Sequence, residues 1–570
     1  MKIPVQGIVL FISLSMIVSM PAVRGQRNYG GTLVAHLVTE PEILNPNYVF
    51  RNPYPAYTIY NHLVTYEAVT HEIIPDLAER WEISKDGKMY TFYLAKNVKW
   101  HDGQKFTSAD VKWTYESVIK EKGFFVTQLS VIDKIETPDD YTVRFVLKET
   151  DASFLDTLAH SQGPVVLPKH LYEGTDVTKN ELNRKPVATG PFKLQEWVSG
   201  SHMTLARNEE YFKGRPYLDK IIIKFSTNWA VVISALESGE IQYSLNNPPY
   251  SECIRLKKIP GIDIGVTSQD ITIHFDLNLK RKPFDNVKVR EALFSAVDIQ
   301  DINNKVYAGF GVPLEGMFMS SVKWAYNADA KKPSFDPKRA EQLLDEAGYK
   351  RGSDGIRFAT SITTFMTMMV PDVSEVIKEH LRKIGIEVKV ESIEFGLYTD
   401  KVLNKRDFDM TVAGGPIGFD PNGFIAFFGT GGYRNCMSYS NPVVDELFRK
   451  ARASVDREER KKHYFEMQEI LAKDLPRMNV IEYTWLYPYR TEFQGFFFQP
   501  EYGKTVNMNC LGSVWWTKAS PPTTTVATPT STVKPPEGPS TSTMVAAVAV
   551  VVVAAMAGMY WFSKKGKAKT

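Results

Sequence analysis

Residues 83–113 read ISKDGKMYTFYLAKNVKWHDGQKFTSADVKW, and no other stretch narrows the fold as far. Asp86-Gly87 and Asp102-Gly103 bracket an alternating run in which Tyr90, Phe92 and Leu94 share one side. Alternation of this kind marks a half-buried strand. Asp-Gly between two such runs marks a hairpin, because glycine accepts a positive φ without a Cβ clash. Thr107 then stands three residues before Asp110, as at a helix N-terminus, and Val111, Tyr115, Val118 and Ile119 follow at helical spacing. The stretch therefore reads hairpin, turn, helix. It holds no nucleophile, metal cluster or phosphate loop, so physical reasoning alone makes it scaffold.

The same two periodicities continue from about residue 27 to residue 518. Helices are expected at 336–347, with Gly348 as the C-cap, at 372–384, and across 441–473 with a break. TLVAHLV, YTVRFVL, KIIIKF, ITIHFDLN and IEVKVESI read as strands. Their irregular order, with no fixed repeat, implies a mixed α/β (α+β) body whose chain crosses between lobes. A net charge of +3, from 68 basic and 65 acidic residues, is too balanced to argue for a nucleic-acid partner. Cys253, Cys436 and Cys510 are too far apart for a metal motif; one disulfide is possible and would leave an odd thiol.

The ends carry their own signals. Residues 1–25, with Lys2 and the run GIVLFISLSMIVSM, look like a secretory signal peptide. Residues 519–543 are almost all Ser, Thr and Pro, and read as an extended stalk open to O-glycosylation. The uncharged run 544–562 reads as a transmembrane helix, and the lysines of the tail 563–570 place that tail in the cytoplasm. The expectation is a cell-surface body anchored at its C-terminus.

Taken in order, several blocks resemble the family-5 extracellular solute-binding proteins, the dipeptide, oligopeptide and nickel type that serves ABC importers. PDLAERWEISKDGKMYTFYLAKNVKWHDGQKFTSADVKWTYE (75–116) looks like the family hallmark. LPKHLY (167–172), VATGPFKLQEWVSG (187–200), RNEEYFKGRPYLDKI (207–221), ALESGEI (235–241), NLKRKPFDNVKVREALFSAVD (278–298), DPKRAEQLLDEAG (336–348) and LRKIGIEV (381–388) continue it. The stalk and anchor resemble those of archaeal surface binding proteins. The resemblance implies a two-lobed periplasmic-binding-protein fold of the large oligopeptide-binding type, with an extra domain. Domain I would comprise 27–65, 183–270 and 485–518, domain II 66–182 and domain III 271–484. It further implies a monomeric receptor without cofactor or catalysis, which closes on a ligand and docks onto membrane permease subunits driven by cytoplasmic ATPases. No HExxH, GxSxG or Walker motif argues for an enzyme, although a surface hydrolase with two scattered carboxylates is the distant alternative.

Peptide binders of this family hold the ligand's amino terminus with an Asp just upstream of a D-P pair, in a Gly-rich aromatic stretch. The matching stretch here is VAGGPIGFDPNGFIAFF, 412–428. Asp420-Pro421 fits the D-P pair, but the preceding positions are Pro416, Ile417 and Gly418, so Asp420 is left as either the amine partner or a turn residue. A buried ammonium without a carboxylate is costly. Arg357, a conceivable carboxylate partner, reads as a solvated strand edge. Sugar-binding members use aromatic faces and neutral hydrogen-bonding groups instead. The candidate ligand residues are therefore Asp420, Gly415, Pro416, Phe419, Phe424, Trp229, Tyr433 and Trp485, each of the aromatics also being explicable as core. Peptide and oligosaccharide stay open, with peptide first. Nickel comes third, because no His/Cys cluster supports coordination.

Overall fold

The computed structural model describes residues 27–48, 54–67, 72–160, 163–418, 420–496 and 508–517. The opening hairpin forms as its sequence dictates. Gly87 takes φ 66°, and strands Ala78–Ile83 and Met89–Leu94 pair antiparallel with Ile83 opposite Tyr90. Thr142–Leu147 and Ile132–Asp139 extend this to a four-stranded sheet. Helix Ser108–Lys120 packs on it through Val111, Tyr115 and Val118, and its Asp110 accepts hydrogen bonds from the backbone N–H of Thr107 (2.9 Å) and Lys169 (2.9 Å). Trp100, Phe92, Phe145 and Leu158 complete this core. The second Asp-Gly turn closes only a single bridge, Lys99 to Lys105.

The rest of the chain is organised by an eleven-stranded mixed sheet. Its axis is a ribbon of two long antiparallel strands, Ile262–Leu277 and Arg477–Arg490. At one end of the ribbon, Tyr243–Ser244, Thr32–Leu37, Lys220–Phe225, His202–Arg207 and Phe192–Val198 follow in spatial order. At the other end come Met410–Pro416, Phe358–Phe365 and Ile386–Ile393. The two halves of the sheet have separate cores. Leu33, Tyr57, Phe192, Ile221 and Tyr243 belong to one; Phe275, Leu293, Ile377, Phe428 and Tyr464 belong to the other. The ribbon runs between them, and its register shifts between Ser268 and Thr272. A bulge locally breaks the ladder and bends the strand, so the connection is most deformable there.

The expected helices appear at Pro337–Glu346, Val370–Lys383, Pro442–Ala453 and Arg457–Asp474, and all but Val370–Lys383 begin on a side-chain cap. Asp336, Asn441 and Asp456, for example, accept from free backbone N–H groups of the first turn. The five expected strands are also present. The disulfide that the sequence left open is absent between Cys253 and Cys436, which are free, buried thiols. One expectation needs correction: the surface location through a C-terminal transmembrane helix does not hold, since among the described residues no helix is long and apolar enough to cross a membrane. The 18-residue helix Arg457–Asp474 has the length but is charged along its whole course. The signal peptide (1–25), stalk (519–543) and apolar run (544–562) fall outside the described residues.

Candidate functional site

Three parallel strands, Met410–Pro416, Phe358–Phe365 and Ile386–Ile393, end side by side, with Phe365 in register with Ile393. Beyond the ends of such strands the backbone leaves the sheet, and this is where open α/β sheets place ligands. Gly415 and Pro416 lie at this end, paired with Thr272 and Ile271. A Cβ at Gly415 would come within 2.9 Å of Arg434 Nη1, so the glycine leaves room for that guanidinium over the strand. Arg434 is itself held beside the rings of Phe427 (5.4 Å) and Tyr433 (5.5 Å). Tyr433 is 74% exposed.

The segments that follow two of these strands, one of them the short helix Phe395–Tyr398, are apolar and open. Met366, Phe395 and Leu397 are 66%, 57% and 63% exposed, unusual for large hydrophobic side chains. Phe395 packs edge-on against Phe365 (5.4 Å). The adjoining Met368 and Met369 both adopt left-handed backbone, φ 58° and 60°. Two consecutive non-glycine residues in that region are strained, and such strain gathers at functional sites.

Asp420 sits at the edge of this region and is already engaged. It caps the turn Pro421–Phe424 by accepting from Asn422 N (2.8 Å), and Arg460 Nη2 donates to both of its oxygens (2.7 and 2.6 Å). Tyr464 Oη lies 3.0 Å from the same nitrogen. Tyr66 Oη donates at 2.5 Å to Asp156. Desolvation first, and the Asp420 charge second, push Asp156 up to about 7.

The other expected residues scatter. Phe424 is core, stacked on Phe318 with ring centres 4.2 Å apart. Trp229 opens helix Trp229–Ser238 and meets His36 edge-on (5.1 Å). Trp485, on the ribbon, lies 6.3 Å from Tyr54 and 6.2 Å from Tyr487, with its indole N–H buried and lacking an acceptor among the described residues. Phe419 lies outside the described residues. Arg357 is not a solvated edge. Its side chain is 2% exposed and donates to Asp345, the Tyr349 carbonyl (2.6 Å) and the Ile384 carbonyl (2.9 Å), which fixes the helix–strand junction. Sequence reasoning missed Arg434, Arg460, Asp156 and the Met366–Phe395–Leu397 rim. Only the apolar stretch TTFMTMMV between a strand and a helix signalled the rim in advance. A separate polar cleft of about 690 Å³, lined by Lys85, Asp86, Thr150, Arg449 and His463 among others, contains none of the expected residues.

Residues 72–435 match the model for bacterial extracellular solute-binding proteins, family 5. This chain belongs to that family. The family-5 protein is 30% identical over 485 residues to the oligopeptide-binding protein AppA of Bacillus subtilis, covering 81% of this chain and 87% of that one. It is 29% identical over 505 residues to the dipeptide-binding protein of Escherichia coli, covering 82% and 92%. Among solved structures it is similar to DppA from Helicobacter pylori in complex with the peptide STSA, with a TM-score of 0.69, 30% identity and coverage of 86% and 99%. Bacillus subtilis AppA in complex with a nonapeptide gives a TM-score of 0.67, 27% identity and coverage of 86% and 100%. These two-lobed relatives share the mixed α/β architecture of this family-5 chain.

Proposed function

We propose that this chain is the extracellular receptor of an ABC importer that captures peptides and presents them to membrane permease subunits driven by cytoplasmic ATPases. The observation that carries the reading is that two structures matching 86% of the chain, at 27% and 30% identity, hold peptides. The oligosaccharide alternative has no comparable support. Domain I (27–65, 183–270, 485–518) and domain III (271–484) would meet across the ribbon, with domain II (66–182) beside them. Binding then shifts an open–closed equilibrium, and the receptor does no chemistry.

The residues at the strand ends suggest which peptides. Met366, Phe395 and Leu397 offer an apolar wall, and methionine adapts to differently shaped partners. Arg434 would take a carboxylate, since a guanidinium pairs well with one. Asp420 would not take the amino terminus, because Arg460 faces both of its oxygens. Peptides with apolar side chains are therefore the expected ligands.

A thermal-shift panel of di- to hexapeptides against cello-, malto- and xylo-oligosaccharides tests this. A peptide at 100 times its Kd should stabilise the protein by about 2.7 kcal/mol. Apolar peptides should outrank charged ones, and Leu397→Glu should erase that ranking. Shifts with sugars alone would overturn the peptide reading.

A further inference from the structure

We infer that Arg452 is the centre of a polar clasp between the body built on the four-stranded sheet and the body that carries helices Pro442–Ala453 and Arg457–Asp474, and that this clasp sets how often the two bodies part. That parting releases a peptide rests on the receptor role proposed above; the clasp itself rests on geometry. The bodies have separate cores: Phe92, Phe145 and Leu158 lie in one, Phe448, Tyr464 and Met467 in the other. The chain does not run directly between them, since Phe192, Leu205 and Ile223 of a third core intervene. The ribbon Ile262–Leu277 and Arg477–Arg490 contains none of the clasp residues, so the seam can part while the ribbon stays paired.

Arg452 holds the seam twice. It lies in the last turn of helix Pro442–Ala453, where backbone carbonyls have no partner within the helix. Its carbonyl accepts at 3.1 Å from the N–H of Ala152, a buried residue of the other body whose amide needs an acceptor. Its guanidinium donates at 2.9 Å to one oxygen of Asp151 and lies 3.4 Å from Glu149. Asp151 is aimed from its own side: the Ser153 hydroxyl (2.6 Å) and N–H (3.1 Å) donate to its other oxygen, and the Asp151 carbonyl accepts from Tyr90 (3.1 Å). The carboxylate is thus divided between its own body and Arg452. Two contacts flank the clasp. Arg457 donates to both oxygens of Glu72 (3.1 and 3.3 Å), and Val455 sits against the hairpin tip, which Thr150 holds by donating to the Asp86 carbonyl at 2.6 Å.

The cleft of about 690 Å³ belongs to the same seam, with Lys85, Asp86 and Thr150 on one wall and Arg449, Ser454 and His463 on the other. The seam is therefore polar and partly unfilled. Parting it exchanges hydrogen bonds for water and leaves both cores intact, so a few directional contacts govern how often it opens. A contact made only while the bodies touch slows their parting. Weakening it should speed the release of a bound peptide by one common factor, whatever the side chains of that peptide, because no clasp residue lies at the strand ends that face the apolar rim.

Hydrogen–deuterium exchange of the full chain without ligand, followed at the Ala152 amide, tests the clasp directly, since that amide is covered only while the seam is shut. In the wild type it should exchange slowly. Arg452→Met, which keeps the backbone bond and removes the guanidinium, should speed it about ten- to a hundredfold. Glu72→Gln, at an exposed pair, should speed it by less. Amides inside strand Thr142–Leu147 should exchange alike in all three proteins. An Ala152 amide that is unprotected in the wild type, or whose rate ignores Arg452→Met, overturns the clasp. If Arg452→Met also loosens the strand, Glu72→Gln decides: a faster Ala152 amide with a quiet strand upholds the clasp, and an unchanged one overturns it. Stopped-flow release of two peptides from the panel should be faster from Arg452→Met by the same factor for both; unchanged rates overturn the control of release. If no peptide binds while the Ala152 amide answers to Arg452, the receptor role falls and the clasp stands. If peptides bind while the amide does not answer, the clasp falls and the receptor role stands.

Discussion

Asp276 and Arg477 illustrate what a single pair of residues decides. Both side chains are fully buried, and Arg477 donates through two nitrogens at 2.7 Å to the two carboxylate oxygens. Burial opposes ionisation of Asp276, but Arg477 and His274 more than offset it and hold the carboxyl well below its usual range. Removing one partner strands the other charge, so Asp276→Ala should cost about 3–5 kcal/mol in urea unfolding; a loss under about 1 kcal/mol would contradict the pairing. The sign with pH follows. A depressed carboxyl contributes stability that is fully present above about pH 4 and is lost as the medium is acidified below it, so Asp276→Asn should flatten this acid limb of a stability–pH curve. Gly423 makes a steric point: a Cβ there would lie 1.9 Å from the Ile417 carbonyl oxygen, a backbone atom that cannot rotate away. Gly423→Ala should destabilise by about 1–3 kcal/mol and disturb the turn that presents Asp420. At this scale the sequence named Asp420 but not its partner. Arg460 is 40 positions away on a helix whose charged residues all look alike in one dimension.

Among elements, the hairpin at 78–94 and its following helix were legible because each is specified by nearby residues: a glycine at positive φ, a carboxylate at a helix start, and apolar side chains at matching period. What the local code did not show is that the hairpin tip is also part of a seam. A Cβ on Gly87 would meet Thr150 Cγ2 at 2.6 Å and Val455 Cγ1 at 2.9 Å, the latter from the link between Pro442–Ala453 and Arg457–Asp474. Gly87→Val should therefore lower the melting temperature and also weaken ligand capture, because it wedges the two bodies apart. A variant that melts earlier yet binds peptide unchanged would confine Gly87 to the turn. The long ribbon teaches the same lesson. ITIHFDLN was readable as a strand, but its extension back to Ile262 and its register shift near Ser268 depend on the partner strand Arg477–Arg490.

For the whole molecule, Cys253 and Cys436 are free and buried, so no disulfide joins them. Reductant should leave the melting temperature unchanged, and thiol titration of the denatured, unreduced protein should find both of them reactive; a reductant-dependent melt would contradict this. The sequence by itself determined the family, the mixed α/β class and most helices and strands, because these follow from periodicity, caps, turns and an ordered series of blocks. Tertiary structure alone decided where the candidate site lies and what occupies it. Arg434 reaches over Gly415, Asp420 is taken by Arg460, Asp156 arrives from another body, and Met366, Phe395 and Leu397 share one edge. The physical reason is that local structure is fixed by neighbours a few residues apart. Charge pairing, desolvation and an exposed apolar rim are fixed by residues that meet only when separate strands end side by side.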